Sequence, residues 1–259
     1  AGPAVVNIYS QSIDNAASFN RRQPVERISL GSGVIMTESG YILTCHHVIE
    51  NANTILVGLQ DGRRVEAQIV GKDPITDLAV LSISADNLHV IPQNIDSETL
   101  VGDVVLAIGN PYNLGQTITQ GIVSRFSQNA LATYFDYIQT DAVLNEGNSG
   151  GALVDSNGYL VGINNANFKT VDSRRRIKEV DGVSFAIPYG LAKKVMDEII
   201  TTGKVTRGAV GFGGEQSPVS ETLQYITDTE PGKKLVLEVN RNNTLLKIQV
   251  DVAELKSGT

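Results

Sequence analysis

Short alternating or wholly apolar runs, broken by turn residues, fill the chain up to about residue 187. Ala4–Ser10, Ile28–Met36, Tyr41–Cys45, Thr54–Leu59, Val65–Val70 and Leu78–Ser82 read as strands of a first unit. Ser39-Gly40 and Asp61-Gly62 are hairpin punctuation between them. Residues 83–101 are more polar, carry Pro92 and suit a linker. A second series follows: Val104–Gly109, Thr117–Ser124, Tyr137–Asp141, Ala152–Val154, Leu160–Asn164 and Val183–Ile187. Two sets of short strands with few helices predict an all-β fold of two packed antiparallel barrels, one over residues 4–95 and one over 101–188.

Helical spacing is clear in one place. Over Tyr189–Thr202, Leu191, Val195, Met196, Ile199 and Ile200 share a face, with Pro188 before them and Gly203 after. A short second helix is expected over His47–Asn51. The tail changes character: Arg207 to Gly214 is a glycine-rich seam, followed by a helical pattern at Ser220–Asp228 and a Pro231-Gly232 turn. Alternating strands Lys234–Asn240 and Thr244–Val250 complete a small α+β piece, marginal as an independent domain. The charged and polar stretch Lys169–Val180 reads as a mobile connection.

Composition narrows the partners. The net charge is −7 with pI near 5.0, and Arg174-Arg175-Arg176 is too short a basic run to suggest nucleic acid. One cysteine, Cys45, excludes an internal disulfide framework and a thiolate-rich metal site. No run approaches the length of a membrane span. The chain opens Ala-Gly-Pro, without Met or signal peptide, and reads as a mature or trimmed product. Gly31-Ser32-Gly33 is followed by a strand and not by the helix a phosphate loop must open, so a glycine-permitted bend or bulge at a barrel corner is expected there. No cofactor and no metal is expected.

The chemistry concentrates at Asn145 to Leu153, where Ser149 stands among Gly147, Gly150 and Gly151 directly before an apolar run. Glycine lets a substrate approach the main chain, and an acyl-transfer site needs N–H groups aimed at a developing oxyanion. An ordinary turn serine is the alternative. A base must come from His46, His47 or His89. His89 lies in the polar linker and reads as a surface residue, while His46 and His47 follow a strand end and point to different sides. Asp77 heads the apolar run Leu78-Ala79-Val80-Leu81, where a charge needs a partner such as an imidazole N–H; the alternative is a turn-capping aspartate beside Pro74. The order histidine, Asp77, Ser149 is that of chymotrypsin-like enzymes. Cys45 has no glycine-lined site beside it and reads as a core residue.

Leu30-Gly31-Ser32-Gly33-Val34, Thr76 to Leu81, Gly109-Asn110-Pro111, Gly121-Ile122-Val123-Ser124, Gln139-Thr140-Asp141-Ala142, Gly147 to Leu153 and Phe185-Ala186-Ile187-Pro188 resemble the HtrA family of trypsin-like serine proteases. The resemblance spans roughly residues 4–214, and Gly109 to Gly121 is most similar to the family's regulatory members of the bacterial envelope stress response. It implies a trypsin-like double β-barrel with a C-terminal helix over residues 1–205, followed by a truncated PDZ-like segment over 206–259. The family's Thr-x-x-His-Val pattern falls on Thr44, His47 and Val48, which implies His47 as base and His46 as a solvated bystander. Asp77 is then the orienting acid, Ser149 the nucleophile, and the N–H groups of Gly147 and Ser149 the oxyanion hole. Val143, six residues before Ser149, falls where such enzymes set primary specificity and implies a small aliphatic side chain before the scissile bond. Val210, Gly211 and Phe212 fall on the loop that holds a peptide carboxylate. The resemblance further implies a periplasmic homotrimer tethered to the inner membrane by an N-terminal anchor absent from this chain. Its substrate would be an anti-sigma factor, and its activators the C-termini of misfolded porins. Arg125–Asp136 departs from the family's regulatory-loop pattern. A general quality-control protease and a catalytically silent peptide-binding scaffold are the alternatives.

Overall fold

A computed structural model describes residues 1–14, 25–110, 115–127, 135–171, 177–209, 225–241 and 244–255. The chain divides into two compact units: Ala1–Ser127 with Tyr137–Lys204, and Gln128–Asp136 with Val205–Thr259.

The first unit begins with β1 (Val5–Asp14), β2 (Val25–Ile35), β3 (Tyr41–Cys45), α1 (His46–Ile49), β4 (Thr54–Gly58), β5 (Arg64–Glu66), β6 (Gln68–Asp73) and β7 (Leu78–Ser82). These strands form one seven-stranded sheet in the order β5-β4-β1-β2-β3-β7-β6. The expected single strand Val65–Val70 is two strands. Ala67 N–H still donates to Ile55 O of β4 at 2.9 Å, whereas Gln68 onward pairs with β7. The end strands of the sheet are thus consecutive in the chain, and the sheet curls round to let them meet at Ala67. The ring is closed by the chain and not by a ladder.

The second barrel comprises β8 (Val104–Gly109), β9 (Thr117–Ser127), β10 (Tyr137–Thr140), β11 (Ala152–Asp155), β12 (Leu160–Val171) and β13 (Ile177–Pro188). It closes fully as β10-β13-β12-β11-β8-β9 around Val105, Ala107, Val123, Ile138, Leu153 and Ala186. At the two ends of Lys169–Val180, Lys169, Thr170 and Val171 pair with Glu179, Lys178 and Ile177, so the β12–β13 ladder extends into that polar stretch; residues 172–176 lie outside the described residues. Main-chain pairing needs no apolar alternation, and the polar composition hid it. The linker is tied to both rings. Ile91 N–H donates to Ile35 O at 3.0 Å, and Leu160 N–H donates to Pro92 O at 2.9 Å.

Helix α2 (Tyr189–Thr202) lies where the spacing predicts and buries Tyr189, Ala192, Val195, Met196 and Ile199. It packs on β6, β7 and β12. β7 is therefore covered on both faces, which explains why Leu78, Ala79, Val80 and Leu81 are all apolar and fully buried. Leu191 and Ile200 are only partly buried, at the margins of the helix's apolar face.

In the second unit, β14 (Gly208–Ala209) pairs with β17 (Ala253–Glu254), and β15 (Lys234–Arg241) pairs with β16 (Thr244–Asp251). Ile226, Leu235 and Val252 form its small core. Residues 225–228 are helical; the rest of the helix expected at Ser220–Asp228 lies outside the described residues.

Candidate active site

The turn between β6 and β7 is built by Asp73, not Asp77. The buried Asp73 carboxylate accepts the Ile75 and Thr76 N–H groups at 3.3 Å each, and the Thr76 hydroxyl. Asp77 is delivered from this turn with φ +58°, in the left-handed region that aspartate tolerates better than most residues. Its main-chain carbonyl accepts His46 N–H at 2.9 Å, and its Oδ1 accepts His47 N–H at 2.9 Å. Its Oδ2 faces His47 Nδ1 at 2.5 Å and accepts Asn165 Nδ2 at 2.8 Å. Asp73 thus caps the turn, while the Asp77 carboxylate takes both the main-chain N–H and the ring of His47.

Helix α1 begins at His46, one residue earlier than expected. His47 is exposed beyond its bond to Asp77. His46 differs from the expectation of a solvated ring: its Nε2 is buried and has no hydrogen-bond partner among the described residues. Behind the pair, a Cβ on Gly31 would come within 2.4 Å of Val48 Cγ1, and one on Gly33 within 2.8 Å of Ile42 Cγ2. Gly31-Ser32-Gly33 is therefore not a bend or bulge. β1 pairs with β2 without a register shift through Val6↔Gly33, Asn7↔Ser32 and Ile8↔Gly31, and the glycines clear space for neighbouring side chains.

The segment Asn145 to Gly151 is a chain of small turns seated on β2. Asn148 N–H donates to Asn145 O, and Gly151 N–H donates to Asn148 O, both at 3.0 Å. Ser32 N–H donates to Ser149 O at 2.8 Å, and Gly150 N–H donates to Asn164 O at 2.7 Å. Gly147 has φ +99° and Gly150 φ +83°, conformations that favour glycine. The Ser149 hydroxyl donates to Asn165 O at 2.7 Å. Among the described residues, the N–H groups of Gly147 and Ser149 have no hydrogen-bond acceptor.

Asn165 escaped the sequence reading. The β12–β13 register shifts between Asn164 and Ala166, so Asn165 sits on an irregularity of the ladder. Such a residue is re-aimed out of the sheet. Its side chain reaches Asp77 while its carbonyl takes the Ser149 hydroxyl, joining the proposed acid and nucleophile through one residue. The Asn164-Asn165 pair at the end of an apolar run was the available signal.

Cys45, Asp77 and His47 offer potential ligand atoms within 4.8 Å of one another. Burial first, and the Asp77 carboxylate second, push the Cys45 thiol up. It donates to Asn164 O at 3.3 Å, and Asn165 Nδ2 approaches its sulfur at 3.7 Å. A buried, protonated thiol beside an amide donor is a poor ligand set for a cation, and the group acts as a hydrogen-bond network. Val143 stands on the segment between β10 and β11, 46% exposed, with its carbonyl accepting the Thr119 hydroxyl at 2.7 Å. His89 is exposed. Val210, Gly211 and Phe212 lie outside the described residues.

Comparison with known proteins agrees with this geometry. The family described as trypsin-like peptidase domain matches residues 31–163. The serine endoprotease DegS of Haemophilus influenzae is 49% identical over 235 residues, covering 89% of this chain and 67% of that protein. The periplasmic serine endoprotease DegP of Escherichia coli K12 is 44% identical over 233 residues, covering 88% of this chain and 48% of that protein. A solved structure of the HtrA-type protease AlgW with a decapeptide superposes with a TM-score of 0.82 at 35% identity, covering 100% of this chain and 97% of that one. The chain spans 60 to 67% of the length of the DegS relatives it matches.

Proposed function

Because the chain belongs to the trypsin-like peptidases and, within them, to the HtrA serine proteases, we propose that it is a regulated serine endopeptidase of DegS type. His47 is the general base, Asp77 fixes its ring, and Ser149 is the nucleophile. The observation that carries this reading is the His47–Asp77 pair, 2.5 Å between Nδ1 and Oδ2, beside a glycine-flanked Ser149. With Nδ1–H donated to the carboxylate, Nε2 is the free acceptor for the serine proton. Attack of Ser149 Oγ on the scissile carbonyl would pass the hydroxyl proton to Nε2 and create an oxyanion facing the Gly147 and Ser149 N–H groups. His47 would then return the proton to the leaving amine, and water would release the acyl-enzyme by the same steps reversed. Val143 contributes to the pocket for a small aliphatic side chain.

The Ser149 hydroxyl is engaged by Asn165 O, and it must rotate before it can meet His47. The 49 to 51% identity to DegS relatives, against 44% to DegP of Escherichia coli K12, favours a regulated enzyme over a general quality-control protease. The decisive experiment is labelling by a serine-directed fluorophosphonate. Label is expected on Ser149 of the peptide-activated enzyme and absent in Ser149→Ala; activated enzyme that takes no label, or labelling or peptide hydrolysis that survives in Ser149→Ala, overturns the mechanism. Rapid, unprompted casein degradation would favour the general protease instead.

We read residues 1–205 as the protease domain and 206–259 as a PDZ-like segment, with Val210, Gly211 and Phe212 on the carboxylate-binding loop. Solved relatives are described with bound decapeptide and tripeptide, which supports peptide recognition in this chain. On the DegS likeness, the activators are C-terminal peptides of misfolded porins, the substrate is an anti-sigma factor, and the enzyme works as a homotrimer in the periplasm, tethered to the inner membrane. Among the described residues no helix is long and apolar enough to cross a membrane. A porin C-terminal peptide that raises the labelling rate of Ser149 supports this assignment, and one that leaves it unchanged removes it.

A further inference from the structure

Ser32, on β2, is fully buried and makes four hydrogen bonds, two of them to the elbow. Its N–H donates to Ser149 O at 2.8 Å, and its carbonyl accepts the Thr44 hydroxyl at 2.7 Å. Its own hydroxyl donates to Gly147 O at 2.7 Å and accepts Asn110 N–H at 3.0 Å. A strand residue of the first barrel thus grips two carbonyls of the second barrel's elbow, on either side of Asn148.

The elbow can be followed peptide by peptide. The Asn145–Glu146 plane is held by Asn148 N–H on Asn145 O. The Gly147–Asn148 plane is held at both ends, by the Ser32 hydroxyl on its oxygen and by Asn145 O on its N–H. Asn148–Ser149 is held by Gly151 N–H, and Ser149–Gly150 by Ser32 N–H and Asn164 O. Among the described residues, only the Glu146–Gly147 plane has neither its carbonyl nor its N–H engaged, although Gly147 is buried. Buried main-chain groups are almost always paired, so an open plane marks a place where a ligand atom or a rearrangement is accommodated.

We propose that Ser32 is a positioning residue for the oxyanion site: its hydroxyl locks the Gly147 carbonyl and confines any rearrangement of the elbow to the Glu146–Gly147 peptide. Gly147 has no Cβ to restrict it, so without that bond both of its backbone torsions are loose. With the bond, the Gly147–Asn148 plane is fixed, and the Gly147 N–H is left one axis of rotation, about N–Cα. Fixed donors act without reorganisation at the moment charge develops, whereas wandering donors do not. The proposal rests on the reading of Gly147 and Ser149 as oxyanion donors.

The test is Ser32→Ala, which deletes the hydroxyl and keeps the Ser32 N–H bond that seats Ser149. Hydrolysis of a small-aliphatic peptide anilide should lose about ten- to hundred-fold in kcat with KM changed less than about three-fold, less than the roughly hundred- to thousand-fold of outright loss of an oxyanion donor, because the donor is loosened and not removed. Inhibition by a peptide boronic acid, whose tetrahedral adduct occupies the same hole, should weaken by the factor lost in kcat/KM. Ser32→Cys, which keeps the shape and a weak donor, should fall between the two, and it carries the test if Ser32→Ala does not fold. An unchanged kcat/KM, or a lowered kcat with unchanged boronate affinity, overturns the proposal. If either result comes while Ser149→Ala abolishes hydrolysis and phosphonate labelling, the nucleophile assignment stands and only the role of Ser32 falls. Hydrolysis that persists in Ser149→Ala removes the underlying reading first.

Discussion

The Ser149 hydroxyl donates to the main-chain carbonyl of Asn165 at 2.7 Å, while the Asn165 side chain donates to Asp77 at 2.8 Å. One residue on an irregular stretch of β12 therefore holds both the proposed nucleophile and the proposed acid. A single hydroxyl proton cannot serve Asn165 O and His47 Nε2 together, so the Ser149 hydroxyl must leave Asn165 O to act as the proposed nucleophile.

Ser149→Ala separates the two roles of that hydroxyl. Structurally it deletes one hydrogen bond, worth about 1 kcal/mol, so the shift in unfolding free energy should be no larger. Chemically it should abolish phosphonate labelling altogether. Equilibrium denaturation beside a labelling time course measures both, and a large loss of stability would mean that the Asn165 bond holds the elbow together.

Asn165 itself is open to a directional test. A hydrogen bond to a charged group contributes about 1.5–3 kcal/mol, so Asn165→Ala, freeing one side of Asp77, should lower kcat roughly ten-fold or more. Asn165→Asp keeps the size of the side chain but removes the amide donor, so it should lose at least as much kcat as Asn165→Ala. An unchanged kcat in both variants would show that the Asn165 side chain does not act through Asp77.

The parts of this fold that sequence made legible are those where composition and geometry coincide. Tyr41–Cys45, Leu78–Ser82, Val104–Gly109 and Tyr189–Thr202 have the bounds expected of them, because apolar runs meet abrupt stops at Gly40, Gly109 and Gly203. The outer part of the β12–β13 ladder was hidden, since it joins the charged and polar residues Lys169, Thr170, Lys178 and Glu179 through main chain. Gly31 and Gly33 misled for another reason: their need for glycine comes from Val48 and Ile42, which no local pattern reveals. At the site, residue type and order point to Asp77 and Ser149 and narrow the base to His46 or His47; only the family resemblance chooses His47. The rotamer of Ser149 and the re-aimed Asn165 depend on the β12–β13 register, which is a tertiary fact.

Cys45 gives a pH dependence with a definite sign. Burial and the nearby Asp77 carboxylate raise its folded-state thiol above the ordinary value of about 8.5. The unfolded chain therefore releases the thiol proton first as pH rises, and the folded chain keeps it. The associated stability is complete below about pH 8.5 and declines above it, at a limiting rate of about 1.4 kcal/mol per pH unit. Urea unfolding at a series of alkaline pH values should show this slope in the wild type and a shallower one in Cys45→Ala. Equal slopes would mean that the thiol titrates alike in both states.

The last prediction concerns how tightly the elbow sits on β2. Gly150 and Gly62 both adopt left-handed backbone, with φ +83° and +91°. A Cβ on Gly62 would meet nothing within 4 Å, whereas one on Gly150 would lie 2.2 Å from Ser32 O and 2.4 Å from Thr44 Oγ1. Gly62→Ala carries the torsional penalty alone, about 1–2 kcal/mol. Gly150→Ala carries the same penalty and must also push the elbow off a buried carbonyl, typically about 1–3 kcal/mol more. That push breaks the Thr44–Ser32 and Ser32–Ser149 bonds, so the measured difference should exceed the steric term. Comparable urea midpoints for the two variants would show that the elbow moves away at little cost, and that its seat on Ser32 is loose. A Gly150→Ala variant destabilised well beyond Gly62→Ala would establish the seat as rigid, which is the condition for fixing a nucleophile and two N–H donors in one place.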